Sequence, residues 1–342
     1  MIGEAAITTA DGRPITVARG IDRVQVTRGI ACLLLVLFHV VGGRPDDGLR
    51  VSDGSGVRQL LDVLLYLRMP LFAFISGYVY ALKPLDVDAP FAFLIGKFRR
   101  LGLPVLSATT IFFLFSWLRV PTPFAQTAAA LIHAYLFSYE IYWFLQAMLL
   151  IFVAMPLLER FLLRSPAGTA VAVLATFGLT RPAEPIDFLS INGAMFLAPF
   201  FFVGIGARRF LRLDARTTAL LLMLLIVATT LHIINVMTLP AHIGAQRGTW
   251  LSLIIGAVAP VLIIAYAPPS ALLARIGGAS FAIFLFHIFF VVPTRLALAR
   301  LGLADPGIQF LAGMTTGVCG PVLLERLIVR SRSARRLLLG LR

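Results

Sequence analysis

Charged side chains are scarce in this sequence of 342 residues: Asp, Glu, Lys and Arg together make up 13%, against 59% hydrophobic residues. A soluble domain of this length needs far more polar surface to face water, so the water-soluble classes are set aside. Cysteine is nearly absent as well. Cys32 and Cys319 each stand in or beside an apolar run, which leaves no disulfide framework and no cysteine-based metal spacing. Both read as small apolar filler. Of the five histidines, His133, His232 and His242 show no mutual metal spacing and are given no role. Neither a metal nor a permanently bound cofactor is expected. Acidic residues number 16 against 30 Lys and Arg, a net charge of +14. No soluble basic segment is interleaved with aromatics, which argues against a nucleic-acid partner. The excess reads instead as the arginine bias of cytoplasmic loops. Internal repeats, low-complexity tracts and loops long enough for a soluble domain are also missing.

What the chain has in abundance is long apolar runs. Many approach the twenty or so residues that cross a bilayer as helix. The alternating pattern of a transmembrane barrel is not seen. The expected fold class is therefore all-α, a polytopic transmembrane helical bundle of about ten spans. These fall near 29–42, 59–80, 101–120, 140–162, 167–180, 191–207, 217–238, 249–267, 279–298 and 307–329. Pro84, Pro121, Pro123, Pro166, Pro182, Pro268, Pro269 and Pro306 mark borders. An even span count puts both termini on one side. With both in the cytoplasm, the inner segments collect about 21 Lys and Arg against about 8 outside. Asp46, Asp47, Asp53, Glu184, Asp187 and Asp305 then face outward. Arg13, Arg19, Arg23 and Arg28 followed by apolar Gly29 to Val41 resemble a signal peptide. No small-residue cleavage site is evident, and Arg28 and His39 sit badly in a disposable segment, so a retained first helix is expected. The organisation is a cytoplasmic tail over 1–25, a transmembrane domain over 26–330 and a basic cytoplasmic tail over 331–342.

Polar residues inside the apolar runs are the candidates for chemistry. Arg28 and His39 lie eleven positions apart on the first span, about three helical turns, so they share a face. Arg28 falls near the inner boundary and His39 near the midplane. An ionisable group at that depth needs a polar cavity or a partner. A neutral imidazole there can accept a proton from an attacking hydroxyl. Read singly, Arg28 is equally a positive-inside anchor and His39 an interhelical hydrogen bond. Arg68 lies inside the second span, either as a functional cation or as the structural partner of Asp62. Ser76-Gly77 on the same span reads as a close helix contact. Lys97, Arg99 and Arg100 precede the third span. They are ordinary loop charge, or a Lys-x-x-Arg face that grips phosphates. His287 is a second deep histidine. Glu140 and Trp143 open the fourth span, the tryptophan suited to an interfacial belt and the glutamate to substrate hydroxyls.

Taken together, these segments resemble the acyltransferase-3 family of integral membrane acyltransferases. Arg28 through His39 resembles its Arg-x10-His first-helix signature. Met69-Pro70-Leu71-Phe72-Ala73-Phe74-Ile75-Ser76-Gly77-Tyr78 resembles its second-helix motif, in the form of the fucose 4-O-acetylase-like, polysaccharide O-acetyltransferase branch. Lys97 to Arg100 resembles its basic cytoplasmic motif. Trp143-Phe144-Leu145 and Ser280 to His287 resemble later motifs. The chain departs from the pattern at Gln25, where the family often has Asp, and at Phe281 and Phe284, where Tyr is common. The form expected is the membrane-only one.

The resemblance implies an enzyme of the bacterial inner membrane. An acyl-CoA, acetyl-CoA in the first instance, binds from the cytoplasm with Lys97, Arg99 and Arg100 at its phosphates. His39, with Arg28, promotes transfer to a hydroxyl of a sugar or glycan acceptor. Arg68, Glu140, Trp143 and His287 are candidate substrate contacts. The competing expectation is a multispanning glycan flippase or exporter, for which inverted repeats would be the sign.

Overall fold

The computed structural model describes residues 18–342 apart from 45, 119–122, 181–186 and 304. Arg13, Pro121, Pro182 and Glu184 lie outside the described residues. Every regular element among the described residues is helical, apart from an isolated bridge between Phe137 and Phe188. In a bilayer this is the expected solution, because a helix satisfies its own backbone.

The first helix, α1 (Ala18–Val41), begins well before the apolar run. Arg28 is therefore mid-helix and not at an entry. The second expected span is two helices, α2 (Gly56–Val63) and α3 (Leu65–Leu82), which meet at Leu64. The third is α4 (Pro90–Lys97), a π-helical turn (Phe98–Gly102) and α5 (Leu103–Trp117). The basic residues expected in a loop are thus helical, with Arg99 and Arg100 inside the π turn. Such turns interrupt the regular hydrogen-bond ladder and recur at functional sites. α6 (Phe124–Leu136) has no counterpart among the expected spans.

The chain continues through α7 (Trp143–Phe161), α8 (Pro166–Gly178), α9 (Ile191–Arg209), α10 (Ala215–Thr238), the single turn α11 (Ala241–Gly244) and α12 (Trp250–Tyr266). α13 (Ala271–Gly278) leads into α14 (Ser280–Phe286) and α15 (Ile288–Arg300), which bend by 52° at His287. α16 (Pro306–Ile328) and α17 (Arg332–Leu339) complete the chain. Among the described residues, seven helical segments are long and apolar enough to cross a membrane, or eight with the bent α14–α15 pair counted as one. α8 and α12 are apolar but shorter. The ten expected runs coincide with these segments.

Starts are set locally. Ser55, Ser165, Asp214, Thr249, Ser270, Asp305 and Ser331 each accept a hydrogen bond from a backbone N–H of the turn they open. Packing is set by small residues, since lipid is as apolar as leucine and gives helices little reason to associate otherwise. α3 and α9 are in closest contact where Gly77 faces the Phe201 carbonyl and Gly204 faces that of Phe74, with no room for a Cβ at either. The Ser76-Gly77 expectation is met in this contact. α1, α3, α7 and α9 supply much of the buried interior, whereas α10 turns Leu220, Met223, Ile226, Val227, Ile234 and Met237 outward, as a lipid-facing helix does.

Candidate active site

Arg28, distant in sequence from Lys97 and Arg100, lines with them one cavity of about 340 Å³. α1 contributes Arg28, the turn region around α4 contributes the other two, and α3 contributes Ser76. Among the described residues, Glu325 of α16 is the one carboxylate in the wall. Among the described residues no ion pair joins it to the three cations. The Lys97 ammonium sits 3.7 Å above the Phe152 ring and 5.2 Å from that of Phe93. Cation–π attraction holds it there without neutralising it. A chamber with three cations and one acid favours a polyanion, and a guanidinium matches phosphate oxygens two at a time. Arg99 does not line this cavity; its Nε is buried without a hydrogen-bond partner.

The C-terminal segment forms part of the same wall. Leu339 and Leu341 line the cavity, and Leu339 is buried. Ser107 Oγ donates to the Leu337 carbonyl at 3.1 Å. Gly340, at φ 63°, lies so close to the Arg99–Arg100 backbone that a Cβ would stand 2.6 Å from the Arg100 Cα. Next to this chamber, an open basin of about 490 Å³ is bordered by Arg164, Arg208, Arg209 and Glu159. There Arg209 is bound to Glu159 at 2.9 Å, and Tyr80 donates to the same carboxylate at 3.1 Å.

His39 is elsewhere. It shares a face of α1 with Arg28 but does not line the cation chamber, and its side chain is partly exposed. Its ring lies 4.8 Å from that of His287, centroid to centroid. His287 is fully buried at the α14–α15 bend. Its Nδ1 reaches the carbonyl oxygens of Ile283 at 2.8 Å and Phe284 at 3.1 Å. Carbonyls only accept, so Nδ1 carries the proton and Nε2 presents a lone pair. That Nε2 has no hydrogen-bond partner. A buried acceptor left open beside a second imidazole is suited to receive its N–H and fix its tautomer.

Arg68 does not pair with Asp62 among the described residues. Its guanidinium lies 3.4 Å above the ring of Phe38, the neighbour of His39, with Nε unpartnered. The loop that follows His39 is held by Arg58, which donates to the Gly42 carbonyl, and by Arg295, which donates to that of Gly48 at 2.7 Å. Glu140 is exposed at the start of the α7 segment, in a positive-φ backbone, and Trp143 packs on Gly193. Neither reaches the cation chamber. His232 stacks on Tyr66 at 4.0 Å and meets the Asp62 carbonyl at 3.1 Å, a structural contact.

The sequence motifs thus divide into two sites: a basic chamber and a histidine pair with a nearby guanidinium. Glu325, Leu339 and Leu341 escaped sequence reading. An acid close to the end of the last apolar run was the available signal for Glu325. The two leucines carried none.

A helical bundle built to lie in a bilayer, with a polyanion-suited chamber within it, defines an integral membrane protein with an internal binding site. Residues 21–326 match the acyltransferase-3 family, an acyltransferase domain, and the chain belongs to that family. It is accordingly a membrane acyltransferase. No curated protein and no solved structure matches it.

Proposed function

We propose that this protein is an O-acyltransferase of the bacterial inner membrane, with both termini in the cytoplasm. It takes an acyl group, acetyl in the first instance, from acyl-CoA and places it on a sugar hydroxyl of a surface or exported glycan, as in the fucose 4-O-acetylase-like branch. The observation that carries this reading is the convergence of Arg28, Lys97 and Arg100 on one chamber of the bundle that also holds the His39–His287 pair. Three fixed cations suit the phosphates of a nucleotide-linked thioester. The bias of Lys and Arg supports a cytoplasmic position for this end of the bundle.

In the proposed reaction the acceptor hydroxyl oxygen attacks the thioester carbonyl, and its proton passes to the lone pair of His39. His287 receives the N–H of His39 through its open Nε2 and so holds the other nitrogen as acceptor. Arg68 is the cation available to the tetrahedral oxyanion. The carbon–sulfur bond then breaks, and the leaving thiolate takes the proton back from His39. The products are the sugar ester and free CoA thiol. A two-step route in which His39 first carries the acyl group uses the same groups, and a burst of thiol release distinguishes it.

The experiment is release of thiol from acetyl-CoA by the purified protein with a glycan acceptor, combined with mass spectrometry of surface glycans from a deletion strain. His39→Ala is expected to lower the transfer rate by about 100-fold or more while the protein still inserts. Normal acylation by a stably inserted His39→Ala protein rules this reaction out. A flippase would release no thiol at all.

A further inference from the structure

One turn separates the chamber from the histidine pair on each of two helices. On α3 the lining residues Val79, Ser76, Ile75 and Phe72 are followed by Arg68. On α14 the lining residues Ser280, Phe281 and Phe284 are followed by His287. At this level three phenyl rings meet. Phe72 and Phe144 stand 5.9 Å apart, Phe72 and Phe284 6.1 Å, and Phe144 and Phe284 5.3 Å, centroid to centroid. Those separations are ring contacts, which leave no space for water between them. All three rings are buried. They come from three helices, α3, α7 and α14, and all three line the chamber.

We infer that Phe72, Phe144 and Phe284 form a partition between the cation chamber and His39, and that they set the length of acyl group that crosses it. The inference rests on the proposed donor reaction for its chemistry but not for its geometry. Arg28 and His39 share a helical face and are kept in separate compartments by this layer. The partition has two effects. It keeps bulk water on the donor side from the thioester carbon as that carbon reaches the histidines. It also admits a short acyl group by ring displacement, while a longer one must hold the rings apart along its whole length. The rings, not the cations, are the specificity-determining residues, since an acyl-CoA of any chain length carries the same phosphates.

The test uses the full-length protein in membrane vesicles of both orientations. Cys32→Ser and Cys319→Ser remove the native thiols, and His39→Cys serves as reporter. An impermeant anionic methanethiosulfonate should label position 39 readily from one face and slowly from the face bearing Arg28, Lys97 and Arg100. Phe72→Ala with Phe284→Ala should speed labelling from that slow face alone. Phe284→Tyr, which keeps a ring in place, should leave it slow. Fast labelling from both faces before any phenylalanine is changed overturns the partition, and so does a slow-face rate that the double variant leaves unaltered.

With His39 intact, the double variant should raise kcat/KM for hexanoyl-CoA relative to acetyl-CoA by about tenfold or more. An unchanged ratio overturns the role in chain length. The two readings fail separately. If no acyl-CoA gives product yet labelling follows the expected pattern, the donor reaction fails and the partition stands. If transfer depends on His39 yet labelling is fast from the cation face, the reaction stands and the partition fails.

Discussion

At the scale of the residue, the informative side chains are polar groups with an unfilled valence in an apolar setting. His287 spends its Nδ1–H on its own helix and, among the described residues, leaves Nε2 without a partner in a ring 4.8 Å from that of His39, centroid to centroid. Arg68 lies on Phe38 with Nε unsatisfied. Such groups are costly inside a bilayer, so their retention points to a bound group that completes them. Lys97 and Arg100 make the corresponding case for the donor. Replacing both with alanine removes two of the three cations in the chamber. Each charged hydrogen bond contributes about 1.5–3 kcal/mol, so the donor KM is expected to rise by about tenfold or more. The rate at saturating donor should change little, because neither group is near the histidines. Initial rates across a range of acetyl-CoA concentrations check this, and an unchanged KM would remove the phosphates from this chamber.

At the scale of the element, the basic motif owes its position to a π turn that continues from α4 into α5 without a break. The extra residue in the turn shifts the angular register along the helix. Lys97 and Arg100 consequently line the chamber, while Arg99 does not and is half-buried, with its Nε enclosed. α17 acts from the opposite flank. It lies beyond the segment that matches the family, and it still lends Leu339 to the chamber wall, with Leu341 added from just past its end. Its seat depends on Gly340, whose positive φ and tight contact with the Arg99–Arg100 backbone both exclude a side chain. Gly340→Val adds a backbone penalty of about 1–3 kcal/mol, enough to unseat the segment. The expected outcome is a raised donor KM in a protein that still inserts and still turns over. Steady-state kinetics together with limited proteolysis at the C-terminus measure both effects.

At the scale of the whole molecule, the two sites occupy different depths of one bundle. The chamber gathers Arg28, Lys97, Arg100, Glu325 and Leu339, while the loop through Gly42 and Gly48 follows His39 at the other end of α1. A donor and an acceptor can then approach from opposite sides and meet at the histidines. The proposed orientation would put Arg332, Arg335 and Arg336 of α17 in the cytoplasm, in accord with the positive-inside bias. A reporter active only in the cytoplasm, fused after Arg342, is therefore expected to be active. A reporter that works only outside the cytoplasm is expected to be silent there, and the reverse pattern would invert the topology.

The class of protein was legible in composition and run length, because a bilayer leaves helices as the element that satisfies a lipid-exposed backbone in runs of this kind. The Arg28–His39 spacing, the Lys97–Arg100 motif and the close contact at Gly77 were legible too, since helix geometry converts sequence separation directly into a shared face or a small-residue seam. Which residues share a chamber was not. Arg28 and His39 satisfy the same periodicity, yet Arg28 lines the chamber together with Phe72, Phe144 and Phe284 from three other helices, and His39 does not. Glu325 and Leu341 reach the chamber from the far end of the chain by the same route. Periodicity fixes direction around one helix axis. What stands opposite that direction is decided by the packing of other helices, and only the tertiary structure contains it.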